Sequence, residues 1–262
     1  LGALVKQASI GRISMDGEIS GQGFDMNALQ TKINAVVSEI EIDNEPYHNL
    51  TINGLVANRK FDGIFISQDP KLALNFNGKV DLSGKEPSYN FNARFLHIDL
   101  QKVGLTKESV IASGLVMMNF SGNDIDHFRG SAYMKNMRIE RNGQIYTADH
   151  LTLVSSETGA IKSIRLSSSL ADAELTGDFT ISELPNSFQQ YLCHYLPEYI
   201  SKPTSYSKEA FSFDLHIKEA DSLAQIFLPD FNGLSNVYLS GTLNTTEQRF
   251  ALDANIPHLG YK

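Results

Sequence analysis

The sequence contains no tryptophan, one cysteine and no apolar run of 18 residues. The single Cys193 excludes an internal disulfide and a thiolate metal site, and the missing apolar run gives no candidate transmembrane helix. Basic residues are outnumbered by acidic ones, 22 to 30, which leaves a net charge of -8. That charge argues against nucleic acid as a partner and against a direct clamp on anionic lipid head groups.

Reactive motifs are also missing. The chain has no nucleophile elbow, phosphate-binding loop, dinucleotide fingerprint or zinc-protease motif, and its seven histidines are scattered. Asp126-His127 and Asp149-His150 are neighbours in sequence, but adjacent strand residues point to opposite faces. Asp124 and Asp126 lack the downstream carboxylate of a calcium loop, so an ordinary turn is favoured. We therefore expect no enzyme, no metal and no cofactor.

Alternating apolar residues dominate the chain. In residues 71–100, apolar side chains occupy every second position on both sides of a Ser-Gly-Lys-Glu-Pro turn. This is the pattern of an amphipathic β-hairpin. Similar pairs recur almost to the C-terminus, including one around Asn142-Gly143, a strong signal for a two-residue turn. The pattern of residues 33–42 slips near Val36-Val37, which predicts a bulge.

The predicted fold is mostly β, a long curled antiparallel sheet that forms an open groove. One clear helix is predicted near residues 184–200, and short helical turns near 97–104 and 219–228. The helix either plugs an open end of the sheet, which we favour, or forms a lid or membrane-facing element. We expect a curled sheet with its helix in residues 1–200 and a continuation after a short linker in 201–262, or one elongated domain over 1–262.

The apolar stripes allow two arrangements, because both produce the same sequence pattern. In the first, which periodicity alone favours, the sheet packs on itself as a closed sandwich. In the second, the sheet curls into a trough whose apolar floor stays available to a ligand. An apolar residue, a polar residue and a Gly recur within several strands, as at Phe76-Asn77-Gly78, and interior glycine permits strong coiling of a sheet.

Three stretches resemble the TamB family within the AsmA-like group, particularly its Bacteroidota members. They are FNARFLHIDLQKVGL from Phe91, GSAYMKNMRIERNGQIYTADHLTL from Gly130, and AELTGDFTIS from Ala173, which leads into a Leu-Pro-x-Ser-Phe segment. The resemblance covers about residues 50 to 260. It implies an internal, periplasmic piece of a membrane-anchored envelope protein, continued by the rest of the same chain at both ends. The start without Met, where strand patterning begins at once, favours the same expectation.

The family resemblance implies a β-taco groove that binds phospholipid acyl chains during transport between the inner and outer membranes, or that assists outer-membrane protein assembly. The groove-lining residues expected on this basis are Leu72, Leu74, Phe76, Val80, Leu82, Phe91, Phe95, Val116, Met118, Phe120, Leu175 and Phe179. The alternative function is a non-catalytic scaffold that binds an outer-membrane assembly partner by strand addition. A carbohydrate-active protein ranks third, since tryptophan and plausible paired carboxylates are missing.

Overall fold

Fourteen strands form one antiparallel sheet in which strand order follows chain order. The computed structural model describes residues 10–22, 30–124, 126–195, 197–203, 205–219, 231–232, 235–258 and 260–261. Its strands are β1 (Ile10–Gln22), β2 (Gln30–Ile42), β3 (Glu45–Ala57), β4 (Lys60–Asp69), β5 (Leu72–Asp81), β6 (Ser88–Asp99), β7 (Val110–Ser121), β8 (Arg129–Arg141), β9 (Gln144–Thr158), β10 (Ile161–Ser168), β11 (Ala171–Asp178), β12 (Ala210–Glu219), β14 (Ser235–Asn244) and β15 (Arg249–Asn255); β13 (Phe231–Asn232) and β16 (Gly260–Tyr261) pair separately.

The predicted mostly-β fold class is confirmed. Asn142 and Gly143, with φ of 52° and 76°, form the expected turn between β8 and β9. The register of β1 and β2 shifts where Met15 pairs with Val37 but Ser14 with Glu39. The extra residue is Ser38, immediately after the predicted position, so the alternation correctly indicated a bulge.

Helix α1 (Leu184–Tyr195) is preceded by a 3-10 turn (Ile181–Glu183) and is shorter than the predicted span of 184–200. Pro185 lies in the first turn, where its missing N–H costs no helical hydrogen bond. Pro197 explains the early end, because its ring disfavours helical geometry in the residue before it and it cannot donate a helical hydrogen bond. Tyr199, which extends the helical spacing in sequence, lies beyond the helix and is 87% exposed.

The turn predicted near residues 97–104 begins after Asp99, where β6 ends. The N–H of Val103 bonds to the Asp99 carbonyl at 3.0 Å, a helical spacing, and Gly104 closes the turn with φ of 76°. The Asp99 carboxylate accepts the Lys102 N–H at 3.1 Å, as a helix cap does. The second predicted turn, near 219–228, lies outside the described residues except for Glu219 at the end of β12.

The chain divides into two compact units by its internal contacts. Unit 1 comprises residues 1–124 and 132–150, and unit 2 comprises residues 125–131 and 151–262. The boundary expected from sequence, between residues 200 and 201, falls inside unit 2. Unit 2 therefore contains both helix α1 and the strands that follow it.

Candidate functional site: the apolar faces of the two units

One face of the unit 1 sheet is apolar across seven strands. Directly paired residues on antiparallel strands have their side chains on the same face, so the register defines rows that cross the sheet. We call this surface the unit 1 face. Its four rows, from β1 to β7, are Met15–Val37–Leu50–Ser67–Leu74–Phe95–Gly114, Gly17–Ala35–Ile52–Phe65–Phe76–Ala93–Val116, Ile19–Ile33–Gly54–Gly63–Gly78–Phe91–Met118 and Gly21–Thr31–Val56–Phe61–Val80–Tyr89–Phe120.

The two faces of the unit 1 sheet differ sharply in burial. Val36 is 58% exposed, whereas its neighbour Val37, on the unit 1 face, is 3% exposed. Among the described residues of this unit, no helix and no second sheet packs over the face. Val37 is therefore buried on a side that no described helix or second sheet of this unit covers. The larger rings of that side, such as Phe76 and Phe91, are half-buried.

A strip of glycines crosses the unit 1 face beneath aromatic rings. Gly54, Gly63 and Gly78 are direct neighbours on β3, β4 and β5. A Cβ on Gly78, where φ is 148°, would lie 2.4 Å from the Phe91 Cα and 2.3 Å from a backbone carbonyl oxygen. Only glycine permits this close approach of neighbouring strands. The strip therefore allows the strands to bend towards the apolar side.

Three phenylalanine rings lie beside this strip. The Phe61 and Phe76 ring centroids are 5.8 Å apart, and the Phe76 and Phe91 centroids are 5.0 Å apart. A Cβ on Gly54 would lie 3.0 Å from a ring carbon of Phe61. Aromatic rings commonly cover the backbone at strand glycines in this way. The result is a continuous ring surface across β4, β5 and β6.

A buried carboxylate lies at one end of the unit 1 face. Asp69, 1% exposed, accepts the backbone N–H groups of His48 and Lys71 at 2.8 Å each. At Asp99, burial acts to raise the pKa, but hydrogen bonds from the Lys102 N–H and ammonium outweigh it and lower the pKa. Both carboxylates have structural partners. Asp69 pairs with Leu72 at the end of the apolar rows, whereas Asp99, next to inward-facing Ile98, has its strand position on the opposite face.

Unit 2 carries a second apolar face, on strands β9–β12, β14 and β15. We call it the unit 2 face. Its rows are Leu153–Leu166–Ala173–Leu215–Leu239–Ala254, Ser155–Ile164–Leu175–Phe213–Gly241–Leu252 and Glu157–Lys162–Gly177–Phe211–Leu243–Phe250. Phe211, 4% exposed, and Leu243, 1% exposed, form its most protected part together with Phe179.

Helix α1 covers part of the unit 2 face. The Phe188 ring lies 6.0 Å from each of the rings of Phe211, Phe213 and Phe250, at interplanar angles of 72° to 88°. Edge-to-face contacts of this kind are favourable beyond the area they bury. Tyr191, one turn later, packs on Phe250 at 5.1 Å. The helix thus packs on part of the unit 2 face, and whether it also plugs an open end of the sheet stays a prediction.

A cavity of about 670 Å³ lies between the helix and the uncovered part of the unit 2 face. Its lining is apolar apart from Glu174 and Asp214, whose strand positions belong to the opposite face. The apolar lining residues are Phe128, Leu153, Ile164, Leu166, Ala173, Leu175, Ile181, Leu184, Phe188, Phe211, Phe213, Leu215, Leu239, Phe250 and Leu252. The volume is within the range of about 300–1,000 Å³ usual for small-molecule pockets.

The twelve residues expected from sequence separate between the two units. Eight lie in the rows of the unit 1 face: Leu74, Phe76, Val80, Phe91, Phe95, Val116, Met118 and Phe120. Leu72 shares their strand parity, and Leu82 follows the end of β5. In unit 2, Leu175 lines the cavity, whereas Phe179 belongs to the core beside it. Sequence reasoning missed Phe188, Leu215 and Leu239 as cavity residues, although their helical and alternating spacings already indicated one apolar side each.

The opposite, outer face of unit 2 has a second cavity, of about 630 Å³, lined by charged groups. Two of its carboxylates form ion pairs: Glu174 lies 2.9 Å from Arg165, and Asp172 lies 2.7 Å from Lys218. These bonds lower the pKa of Glu174 and of Asp172. The arrangement is a network of surface ion pairs, which in general contributes little stability and supplies no reactive group.

Of the polar residues singled out in the sequence, Asp126 has a structural role. Asp126 accepts the N–H and the hydroxyl of Ser182 at 2.9 and 2.7 Å, which fixes the 3-10 turn before α1. Asp149 and His150 are both exposed on β9. Within the described part of the chain, no group of three or more His, Cys, Asp or Glu side chains is placed to hold a metal ion.

Comparisons with models of protein families, with curated proteins and with solved structures find no match to this chain. The family resemblance therefore stays a prediction. No helix within the described ranges is both long and apolar enough to cross a bilayer.

Proposed function

We propose that the chain is a non-catalytic, periplasmic segment of an envelope protein of the TamB type, and that it binds phospholipid acyl chains on its apolar sheet faces. One observation carries the proposal. The unit 1 face runs across seven strands without a charged side chain, and no described element of that unit covers it. Contiguous apolar surface of this extent is unusual on a soluble protein unless it binds something.

Acyl chains suit this surface for an energetic reason. Each methylene removed from water contributes about 0.8 kcal/mol, so a lipid tail gains affinity along its whole length. The rows repeat with little chemical difference from strand to strand, and no single position forms a deep well. A tail can therefore move along the face while its head group stays in water. Any driving force for net transport between membranes comes from outside this segment.

A matched pair of variants on β5 tests the proposal. Phe76→Asp places a charge on the unit 1 face, while Asn77→Asp places the same charge on the exposed side of the next residue. A fluorescent fatty acid should bind saturably to the unaltered chain and to Asn77→Asp. Phe76→Asp should weaken binding at unit 1 at least tenfold and still fold, because Phe76 is only half-buried and the new carboxylate can reach water.

Two results would contradict acyl-chain binding. One is an unaltered protein that takes up no fatty acid at any concentration. The other is unfolding of Phe76→Asp with normal folding of Asn77→Asp, which would show that the unit 1 face is a closed core.

The edge strand among the described residues supports a second candidate function, a scaffold that recruits an outer-membrane assembly partner by strand addition. Among the described strands, β1 pairs only with β2, and its Ile13 and Ile19 are 47% and 56% exposed. An unprotected edge strand is a template for pairing with another chain. A proline at Glu18, in the middle of β1, should abolish partner capture and leave fatty-acid binding intact if this function holds.

A further inference from the structure

We infer that the unit 2 cavity is a preformed pocket for one linear hydrocarbon chain, held by helix α1, rather than another stretch of open surface. This inference rests on the proposed function, and it specifies how acyl-chain binding differs between unit 1 and unit 2. The occupant is a single acyl chain with its polar end in water, whether that chain belongs to a free fatty acid or to a phospholipid.

The lining of the cavity selects a hydrocarbon. Its side chains on the inner face are aliphatic or aromatic, so the interior offers no side-chain hydrogen-bond partner. A polar group placed there without a partner would cost roughly 2–7 kcal/mol, which disfavours peptides, sugars and nucleotides as occupants. The cavity is open to solvent, so an apolar guest is favoured because it removes this apolar lining from water.

The depth of the cavity depends on one small side chain. Ala173 on β11 pairs directly with Leu166 on one side and with Leu215 on the other. An alanine between two leucines leaves space above the floor, and Leu239 continues the same row. This row lies beyond the sheet rings that Phe188 contacts, so a chain can extend from beside the helix along the floor.

Polar contacts hold the helix in place on its other side. Ser187 is fully buried, and its hydroxyl bonds to the Glu183 carbonyl at 3.0 Å and to the Ser207 hydroxyl at 2.7 Å. The Gln190 side-chain carbonyl accepts the Ser207 N–H at 3.2 Å. The buried Glu209 carboxylate accepts the Thr180 N–H at 2.8 Å. The wall of the pocket therefore exists before a ligand arrives, and binding does not have to order it.

Filling the pocket tests the inference, and the chain offers a matched control. Ala173→Phe puts a ring into the cavity, whereas Ala251→Phe makes the same change at an exposed position on β15 that faces the other way. Each variant is labelled with a photoreactive palmitate analogue, and the attachment sites are mapped by mass spectrometry. We expect one tail per unit 2 cavity, attached around Leu166, Leu215 and Phe188, in the unaltered chain and in Ala251→Phe. In Ala173→Phe, labelling of the unit 2 cavity should fall at least tenfold, whereas labelling of the unit 1 face should be unchanged.

Chain length supplies a test that needs no variant. Saturated fatty acids from octanoate to stearate should bind unit 2 about fourfold more tightly for each added methylene until the pocket is full, and then level off. A lysophospholipid and a diacyl phospholipid with the same chains should both place one tail in the cavity. Labelling by the free fatty acid alone would identify the fatty acid as the source of the chain.

The outcomes separate this inference from the proposed function. The inferred pocket is wrong, and acyl-chain binding still stands, in either of two cases. In the first, palmitate labels only the unit 1 face. In the second, unit 2 is labelled as strongly in Ala173→Phe as in Ala251→Phe. If palmitate labels neither unit, the proposed function fails. Should Ala173→Phe not fold, the length series decides, because affinity that rises without levelling off would overturn a pocket of limited length.

Discussion

Units 1 and 2 contain the same kind of apolar sheet face, but among the described residues a helix packs on that face in unit 2 alone. The consequence is visible in two phenylalanines at equivalent inward positions. Phe76 of unit 1 is half-buried among rings of its own face. Phe211 of unit 2 is 4% exposed, with Phe179 and Phe188 packed against it. In unit 2 a helix of 12 residues thus makes part of the apolar face a core.

The comparison teaches that alternating apolar residues identify the apolar side of a strand, but not whether that side packs in a core or binds a ligand. In unit 1 no described helix or second sheet covers the apolar side, although Val37, Leu50 and Leu74 on that side are buried. In unit 2 the same kind of side is divided between structural packing under α1 and a cavity beside it. Stability and binding should therefore respond differently to equivalent changes in the two units.

The largest expected difference is between Phe211→Ala and Phe76→Ala. Removing a buried phenylalanine side chain costs about 3–5 kcal/mol, so Phe211→Ala should destabilise unit 2 by that amount. Phe76→Ala should cost roughly half as much, because its ring is already partly in water. Urea unfolding monitored by fluorescence of Tyr residues and by far-UV circular dichroism measures both values. Equal losses would contradict the distinction between an open and a covered face.

The next effect concerns the close approach of strands in unit 1. Gly78→Ala should destabilise the unit by about 1–3 kcal/mol, because a Cβ would overlap the backbone of β6 and φ is positive. Gly84→Ala, in the following turn, is the control, since its Cβ would meet no atom closer than 3.5 Å. If both variants unfold at the same denaturant concentration, the glycine strip is not needed for bending the sheet.

A smaller, pH-dependent effect is expected at Glu209, behind helix α1. Burial raises the pKa of this carboxyl, although the Thr180 N–H bond acts in the opposite direction. The folded state favours the protonated carboxyl. The stability that protonated Glu209 contributes is therefore fully present at pH values below the ordinary pKa of a glutamate. That contribution is lost as the pH rises through the raised pKa. Glu209→Gln, which keeps the acceptor for Thr180, should match the unaltered chain near about pH 4 and exceed its thermal stability near about pH 8. A constant difference at all pH values would contradict this origin.

The smallest effect is expected at Asp81, on the surface of unit 1. Hydrogen bonds from the Lys60 ammonium, then from Ser83, lower the pKa of Asp81 to about 2. A lowered pKa stabilises the fold above the ordinary value and loses that contribution as the pH falls towards about 2. Asp81→Asn should therefore flatten the acid limb of the unfolding curve slightly, and added salt should reduce the difference because the pair is exposed. An unchanged acid limb in low salt would show that the pair contributes nothing measurable.

The sheet could be predicted from the sequence because alternation is a local signal. The hairpin at Asn142-Gly143, the bulge beside Val37 and helix α1 all depend on residues close together in the chain. The end of the helix was predicted incorrectly. Tyr199 continues the helical spacing of apolar residues, but the helix ends before Pro197. In this competition the backbone restriction overrides the side-chain pattern.

The candidate site was harder to predict from the sequence, because it depends on contacts between residues far apart in the chain. Phe188 meets Phe250 across 62 positions of sequence, and no local pattern indicates that partner. Whether the apolar side is closed or open could not be decided from periodicity either. In unit 2 that depends on where one helix packs, and in unit 1 on the lack of a covering element among the residues described.

Native mass spectrometry of gently purified protein, followed by extraction and identification of bound molecules, tests the central claim most directly. Acyl-chain binding on the apolar faces predicts co-purified lipid at a reproducible ratio, with less retained by Phe76→Asp than by Asn77→Asp. A protein that emerges free of lipid and also refuses added lipid would contradict the account, and its apolar faces would then serve packing alone.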